Sequence, residues 1–242
     1  MQRDEFAAST GLAANTQENQ RLRFKEAGRE QVSLLSGLEK RCLVYLALRT
    51  PPWIKPDHLT ALGIAAQLAV GLSYWYASRS KAGLVLASIF IALNWLGDSL
   101  DGTLARVRDK QRPRYGFYVD HVIDTFGALF LLGGLALSGY IGAWVAAGVL
   151  IAFYMLSIET YLATYTVGTF QLSRWKFSPT ELRVLLILGN ATLAFRPVVN
   201  LFGSHFRLFD VGGAIAIAGM AAMLLYAVAR HTACLYRAER VS

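Results

Sequence analysis

Four long stretches of the sequence carry no charged side chain, and this feature constrains the fold most. They cover residues 59–78, 82–97, 125–158 and 211–229. A helix needs roughly 20 mainly apolar residues to cross the hydrocarbon of a bilayer. The overall composition agrees, since 55% of the residues are hydrophobic, 17% are charged and the mean hydropathy is +0.39. The sequence therefore predicts an all-α, polytopic membrane protein.

The number of spans follows from the lengths of these stretches. The third is long enough for most of two spans, and a break at residues 139–142 would make it a tight hairpin. Residues 181–199 are the weakest candidate, because charged side chains interrupt them near both ends. We count six transmembrane helices between about residues 59 and 230, within one membrane domain of residues 31–242.

The distribution of positive charge predicts the orientation in the membrane. The loop after the second predicted span, residues 106–115, carries five basic side chains and one acidic one, and such loops stay in the cytoplasm. The first ten residues are polar and precede no apolar segment of a cleavable signal. We expect an integral protein of a bacterial-type inner membrane, with both termini and the functional site facing the cytoplasm.

The chain before the first span is divided into two parts. Residues 1–30 carry five acidic and five basic side chains and are predicted to be a polar cytoplasmic segment. Residues 31–49 place Leu35, Leu38, Cys42 and Tyr45 on one helical stripe, which is typical of an amphipathic helix lying in the membrane interface. A helix packed on other parts of the protein fits this pattern equally well.

The net charge of +8 does not indicate nucleic acid. The basic residues cluster at span ends and form no groove interleaved with aromatic side chains, so anionic lipid headgroups are the expected partner. Cys42 and Cys234 lie near opposite ends of the chain, which predicts neither a disulfide framework nor a zinc site.

Two helical stripes hold the residues that indicate chemistry, one at the end of the second predicted span and one at the start of the third. Their members are Asp98, Asp101, Gly102 and Ala105, and then Gly116, Asp120 and Asp124. Residues three or four apart share a helix face, so the two helices can direct four carboxylates to one point. Such carboxylates repel one another unless cations lie between them. Hard oxygen ligands favour magnesium, manganese or calcium over zinc.

The small residues of the two stripes predict space for a ligand. Gly102, Ala105 and Gly116 remove side-chain bulk beside the carboxylates. Arg106 is four residues beyond Gly102, and its planar guanidinium matches phosphate oxygens. Metals and an arginine beside small residues indicate a pyrophosphate site.

The run of 27 residues from Asp98 to Asp124 resembles the signature of the CDP-alcohol phosphotransferase family, with every diagnostic position filled. A weaker likeness extends over residues 56–63, although Asp57 stands where Asn is common in relatives. The resemblance implies a six-span homodimer whose site opens to the cytoplasm. It also implies transfer of a substituted phosphate from a CDP-linked donor to an alcohol acceptor, with release of CMP.

The same resemblance assigns roles to individual residues. It implies that Asp98, Asp101 and Asp120 bind two divalent ions, Mg²⁺ or Mn²⁺. Asp124, also near the metals, would act as general base on the acceptor hydroxyl. The residues expected to line the CDP pocket are Gly102, Ala105, Arg106 and Gly116, with Thr60 as a further candidate.

Two pairings of donor and acceptor stay open, and one partner in each is a lipid. A CDP-linked lipid could donate to a soluble alcohol such as glycerol phosphate, inositol phosphate or serine, or CDP-choline or CDP-ethanolamine could donate to diacylglycerol. The sequence Asp120-His121-x-x-Asp124 resembles that of the choline and ethanolamine phosphotransferase branch of the family. A cluster of arginines at positions 108, 112 and 114 could recognise a phosphorylated acceptor, but the positive-inside rule also explains it.

Two other classes of function fit part of the pattern. A cation or proton transporter could use membrane carboxylates as a relay, and Glu159 lies deep in an apolar stretch, where a carboxylate is by default functional or paired. The four aspartates cluster at one membrane face, however, and a relay needs polar residues across the whole bilayer. A catalytically silent, lipid-binding membrane protein is the third hypothesis.

Overall fold

The computed structural model describes residues 36–167, 179–201 and 203–239, and their fold is mostly helical. The helices are α1 (Ser36–Arg49), α2 (Pro56–Ala77), α3 (Ala82–Val107), α4 (Pro113–Ser138), α5 (Ala143–Val167), α6 (Pro179–Phe195) and α7 (Leu208–Ala238). Strands β1 (Val198–Leu201) and β2 (Ser204–Arg207) form an antiparallel hairpin between α6 and α7. The polar segment predicted for residues 1–30, and residues 31–35 of the predicted interfacial helix, lie outside the described residues.

Within the described residues, five helices are long and apolar enough to cross a membrane, namely α2, α3, α4, α5 and α7. Large apolar side chains such as Leu72, Ile89 and Ile215 are exposed along them, which fits contact with lipid. These helices indicate an integral membrane protein. The sixth predicted span coincides with α6, which has 17 residues and is not one of the five. That α6 crosses the membrane remains a prediction.

The helix boundaries agree with local sequence signals. Proline lies at the start of α2 and of α4, where its fixed φ suits a helix and its missing N–H costs no hydrogen bond. The predicted break at residues 139–142 is confirmed, since α4 ends at Ser138 and α5 begins at Ala143. Gly139 there has a φ of +79°, a left-handed conformation that favours glycine.

The helix α2 is the centre of the bundle because it packs along both α3 and α4, which make few contacts with each other. The approach of α2 to α3 depends on glycine. A Cβ built on Gly97 would lie 2.8 Å from the backbone nitrogen of Gly63 and 2.8 Å from the carbonyl oxygen of Leu59. The Nδ2 of Asn94 also donates to the Gly63 carbonyl at 3.0 Å. Consequently α3 and α4 both pack on α2 and make little direct contact with each other.

The remaining helices extend this arrangement on both sides. The helix α6 packs on α3, α5 packs on α4, and α7 packs on α5. A buried polar group holds α6 in place: the Tyr74 hydroxyl donates to Asn190 Oδ1 at 2.9 Å, and Asn190 Nδ2 donates to Ser88 Oγ at 3.1 Å. Each buried polar atom here has a partner, so this group stabilises one relative placement of α2, α3 and α6.

The helix α1 packs on the rest of the protein, one of the two alternatives from the sequence. Leu43 and Ala47 are buried in a cluster with Leu100 and Leu104 of α3. Cys42 and Tyr45, which belong to the predicted apolar stripe, are exposed on another face. Contact of that exposed face with the membrane interface remains a prediction.

The hairpin of β1 and β2 is the part of the fold that the sequence analysis did not predict. The predicted sixth-span segment ran to residue 199, whereas α6 ends at Phe195 and β1 begins at Val198. Pro197 lies between them and cannot donate a helical hydrogen bond. The expectation of an all-α fold is therefore correct apart from this short hairpin.

Candidate active site

Asp101 on α3 lies near acidic side chains of both stripes, because its partly buried carboxylate interacts electrostatically with Asp98 on the same helix and with Asp120 on α4. The two helices follow one another in sequence and are joined by residues 108–112. The end of α3 and the start of α4 thus bring these three acidic side chains near one another, although the helices themselves do not pack closely. The convergence of all four carboxylates on one point remains a prediction.

Both oxygens of the Asp101 carboxylate accept hydrogen bonds. The hydroxyl of Thr60 on α2 donates to Oδ2 at 2.6 Å, and the backbone N–H of Gly102 donates to Oδ1. Thr60, predicted as a weaker pocket residue, therefore lies at the acidic site. Its hydroxyl links the central helix to the acidic stripe of α3 and fixes the position of the Asp101 side chain.

Asp98 forms an ion pair that the sequence analysis missed. Arg183 on α6 lies with Nη2 at 2.7 Å from Asp98 Oδ2, and the two side chains are 17% and 32% exposed. Arg183 was interpreted only as a charge near the end of a span. The two residues are 85 positions apart in sequence, so no local spacing indicates the contact.

Asp124 is exposed on α4, and a tyrosine of α5 lies next to it. Tyr161 interacts electrostatically with Asp124 and more weakly with Asp120. A second tyrosine supports the same turn of α4, since the Tyr154 hydroxyl donates to the Thr125 carbonyl at 3.0 Å. The sequence analysis did not select either tyrosine.

His121 packs beside the site through its ring. The ring lies edge-on to Tyr161 at 4.8 Å between centroids. Its Nδ1 is 2.6 Å from the carbonyl oxygen of Phe117, and since a carbonyl can only accept, Nδ1 is the donor. A hydrogen bond of the ring to the backbone of α4 is what the structure shows.

The small residues differ in how closely they are surrounded. A Cβ on Gly116 would meet nothing within 4 Å, and one on Gly102 would meet only Nη1 of Arg106, at 3.5 Å. Arg106 also donates from Nη2 to the Thr103 hydroxyl at 3.0 Å. Ala105, the remaining pocket candidate, is half-buried on the same stripe. The lack of bulk at Gly102 and Gly116 is thus not required by packing and leaves room for a ligand.

Two of the three arginines considered for an acceptor phosphate have structural roles. The guanidinium of Arg108 donates to the backbone carbonyls of Thr50, Pro51 and Ile54, which ties the segment between α1 and α2 to the end of α3. Arg112 forms an ion pair with Asp57 in the first turn of α2. These contacts tie residues 50–57 to the end of α3 and to the start of α4.

The deep carboxylate of Glu159 is paired. Its Oε1 lies 2.6 Å from Nδ1 of His231, and the pair joins α5 to α7 with side chains that are 13% and 25% exposed. Tyr161, two residues further along α5, instead faces α4. Glu159 therefore belongs to a contact between α5 and α7 and not to the acidic stripes.

The donor set suits a hard divalent cation, because it consists of carboxylates that repel one another around Asp101. The side chains as placed do not form a ligand set, however. In residues 36–167, 179–201 and 203–239, no group of three or more His, Cys, Asp or Glu side chains is arranged to hold a metal ion. Asp98 is engaged by Arg183, and Asp101 by Thr60 and an amide. The chemistry fits a metal, and the present side-chain positions do not chelate one.

A comparison with protein families decides the assignment. Residues 53–229 match the family model described as CDP-alcohol phosphatidyltransferase. The chain belongs to this family. The match covers more than half of the chain and includes both acidic stripes, so the resemblance seen in the motif is confirmed.

Individual relatives agree with the family. The chain is 32% identical over 104 residues to archaetidylinositol phosphate synthase of Pyrococcus horikoshii, which is 43% of this chain and 52% of that protein. The match thus spans about half the length of this curated relative. A crystal structure of Mycobacterium tuberculosis phosphatidylinositol phosphate synthase with CDP-DAG bound is similar in fold, with a TM-score of 0.55 and 17% identity over 84% of this chain and 99% of that one.

Proposed function

We propose that this protein is an enzyme of phospholipid synthesis that moves a substituted phosphate from a CDP-linked lipid to an alcohol and releases CMP. One observation carries the proposal: in a member of this family, the Asp101 carboxylate of α3 interacts electrostatically with Asp120 of α4, near glycines whose missing side chains leave room for a ligand. A pyrophosphate with bound cations would be accommodated there.

The relatives favour one of the two open pairings of donor and acceptor. One is named archaetidylinositol phosphate synthase, and the other is a phosphatidylinositol phosphate synthase with CDP-DAG bound. We therefore propose a CDP-linked lipid as donor and a phosphorylated polyol, such as inositol phosphate, as acceptor. His121 gives less support to a choline or ethanolamine substrate, because its ring contacts Phe117 of α4 and Tyr161 of α5 and has a structural role there.

The reaction requires the acceptor hydroxyl to attack the phosphorus that carries the lipid. A bond forms between the acceptor oxygen and this phosphorus, the bond to the bridging oxygen breaks, and its electron pair leaves with CMP. Asp124 is exposed on its stripe and accepts the proton of the hydroxyl. A positioned base of this kind contributes roughly 100-fold to 10,000-fold to the rate.

The other site residues bind and orient. Dependence on divalent metal is general in the family, and Asp98, Asp101, Asp120 and Asp124 would hold two Mg²⁺ or Mn²⁺ ions that neutralise charge on the phosphate oxygens. Thr60 orients Asp101 through its 2.6 Å hydrogen bond. Arg106, beside the open positions of Gly102 and Gly116, supplies positive charge for the pyrophosphate. Consistent with the family resemblance, we propose a homodimer with the site facing the cytoplasm.

The proposal is tested by a matrix of substrates. Purified protein in detergent is incubated with Mg²⁺ and each combination of CDP-diacylglycerol, CDP-archaeol, CDP-choline or CDP-ethanolamine with inositol phosphate, glycerol phosphate, serine or diacylglycerol, and CMP is measured. CMP release from a CDP-linked lipid, dependent on a phosphorylated polyol, supports the proposal. Release only from CDP-choline or CDP-ethanolamine with diacylglycerol would reverse the assigned polarity. Absence of CMP in every combination, with a folded protein, would refute the enzyme assignment.

A further inference from the structure

Arg183 lies outside the family signature, yet it contacts one of the four aspartates. The signature covers α3 and α4, whereas Arg183 belongs to the short helix α6. Its side chain is mostly buried, at 17% exposure, and Nη2 lies 2.7 Å from Oδ2 of Asp98. A charge with so little access to water needs its partner, and in this structure the partner is a carboxylate assigned to metal.

The ion pair and a metal ion make competing demands on the same carboxylate. A divalent cation would take a carboxylate oxygen of Asp98 as a ligand, and Arg183 now holds one of the two oxygens. A guanidinium at hydrogen-bonding distance from that oxygen also places a positive charge beside the cation, which opposes its binding. Ion pairing and metal binding at Asp98 are therefore linked, and linkage acts in both directions.

The same ion pair explains why carboxylates that suit a divalent cation are not positioned as a set of metal ligands. The acidic side chains repel at Asp101, which calls for positive charge, yet they form no metal-ligand set in the described part of the chain. Asp98 instead forms an ion pair with the guanidinium of Arg183. The helix α6 is held to α3 further along by Asn190 and Ser88, so Arg183 is presented to Asp98 from a fixed helix.

We propose that Arg183 is a positioning residue that competes with the divalent ion for Asp98 and thereby sets how much Mg²⁺ the site requires. This inference rests on the proposed function for its biological meaning, but it concerns metal affinity and is measurable without turnover. Loss of the guanidinium frees Asp98 for metal. The exchange involves no covalent step, since the carboxylate gives up one cation and accepts another.

The test measures Mn²⁺ binding directly. Free Mn²⁺ is followed by electron paramagnetic resonance during titration of the purified protein, of Arg183→Gln and of Arg183→Lys. Arg183→Gln is expected to bind Mn²⁺ at least about fivefold more tightly, the lower end of usual couplings between linked sites. Arg183→Lys keeps the charge but loses the planar fork, so its affinity should lie between the two. Unchanged or weaker binding by folded Arg183→Gln would overturn the proposal.

Two further variants separate competition from general charge effects. Arg112→Gln removes a positive charge at the start of α4, where Arg112 forms an ion pair with Asp57. The Mn²⁺ affinity of this variant should change less than twofold. In an Asp98→Asn background, Arg183→Gln should also change the Mn²⁺ affinity less than twofold, because the carboxylate that pairs with Arg183 is gone. An equal effect of Arg183→Gln in both backgrounds would overturn the proposal.

The outcome is distinguishable from failure of the proposed function. If the protein releases no CMP from any substrate pair, the enzyme assignment fails while the Mn²⁺ titrations still decide the role of Arg183. If CMP is released, the Mg²⁺ concentration for half-maximal rate should be lower for Arg183→Gln than for the unmodified protein. An unchanged or higher Mg²⁺ requirement, together with unchanged Mn²⁺ affinity, would leave Arg183 with a structural contact only and refute the proposal.

Discussion

At the scale of single residues, the four aspartates have the same chemistry but different surroundings. Asp98 has an arginine partner, and Asp101 accepts hydrogen bonds on both oxygens. Asp124 is the exposed member and lies beside Tyr161. A carboxylate that must receive a proton from an incoming hydroxyl needs access, and Asp124 has it. The local environments therefore support the division of roles that the family resemblance implies.

The role of Asp124 is tested by an isosteric change. Asp124→Asn removes the proton acceptor and one carboxylate charge, so the rate of CMP release should fall by about 100-fold or more. Asp109→Asn is the matched control, because Asp109 lies in the loop after α3 with a φ of 51°, a conformation that Asn also tolerates. Its rate should stay within about twofold of the unmodified protein. Undiminished CMP release by Asp124→Asn would remove Asp124 from the reaction.

At the scale of helices, the position of the acidic stripes depends on the contact between α2 and α3. Gly97 is the point of that contact next to Asp98, and a Cβ there would meet the backbone of Gly63 and Leu59 at 2.8 Å. Backbone cannot move as a flexible side chain can, so even alanine separates the helices. The same separation would displace Asp98, the next residue of α3.

Gly97→Ala is therefore expected to lower the thermal unfolding temperature in detergent, with a cost of roughly 1–3 kcal/mol for overpacking. Gly219→Ala is its control, because a Cβ at Gly219 in α7 meets nothing within 4 Å and alanine favours a helix. The control should unfold at the same temperature or higher. Equal unfolding temperatures for the two variants would show that α2 and α3 do not approach as described.

The pair of Glu159 and His231 allows a second test at this scale. It also bears on the transporter hypothesis, in which Glu159 would be part of a relay. Glu159→Gln, His231→Gln and the double variant should show a coupling free energy of about 0.5–3 kcal/mol in a double-mutant cycle of unfolding. CMP release should be unaffected within about twofold, since the pair joins α5 to α7 away from the stripes. Additive destabilisation, or lost activity in a folded variant, would contradict a purely structural pair.

The helices were more predictable from sequence than their contacts. Charge-free lengths, Pro56, Pro113 and the glycines at 139–142 act locally, so they indicate helices and the break before the chain folds. The spacing of the aspartates predicted an approach of the two stripes, and Asp101 does interact with Asp98 and Asp120, but no three carboxylates in the described part of the chain are arranged to share a metal ion. The partner of Asp98 was not predictable, because the rotation of α6 that brings Arg183 to it depends on the packing of Asn190 against other helices. The pairing of Glu159 with His231, 72 positions away, likewise depends on how distant helices pack.

At the scale of the whole molecule, the question left by the fold is whether α6 crosses the membrane. Its 17 residues span about 26 Å at 1.5 Å per residue, somewhat less than the roughly 30 Å of a hydrocarbon core. Mismatch of this size is accommodated by local thinning of the bilayer. If the acidic site faces the cytoplasm, as proposed, and α6 is a span, the hairpin of β1 and β2 lies on the opposite side of the membrane and α7 ends on the cytoplasmic side.

Thiol labelling of intact cells tests this topology. In a background of Cys42→Ser and Cys234→Ser, a membrane-impermeant reagent should label Ser204→Cys in the hairpin and not Gln111→Cys, which precedes α4. Gln111→Cys should react only after the membrane is permeabilised. Ser80→Cys, between α2 and α3, is the control for an outside loop. Protection of Ser204→Cys in cells that label Ser80→Cys would show that α6 does not cross.

The central claim is that the acidic side chains of α3 and α4 act together as one metal-dependent phosphotransfer site. The most direct test is CMP release from CDP-diacylglycerol and inositol phosphate by purified protein, before and after chelation of divalent metal and after Mg²⁺ is restored. Chelation is expected to abolish CMP release, added Mg²⁺ to restore it, and Asp101→Asn to prevent the restoration. CMP release that persists in the chelator, or Asp101→Asn protein that is restored as fully as the unmodified protein, would contradict it.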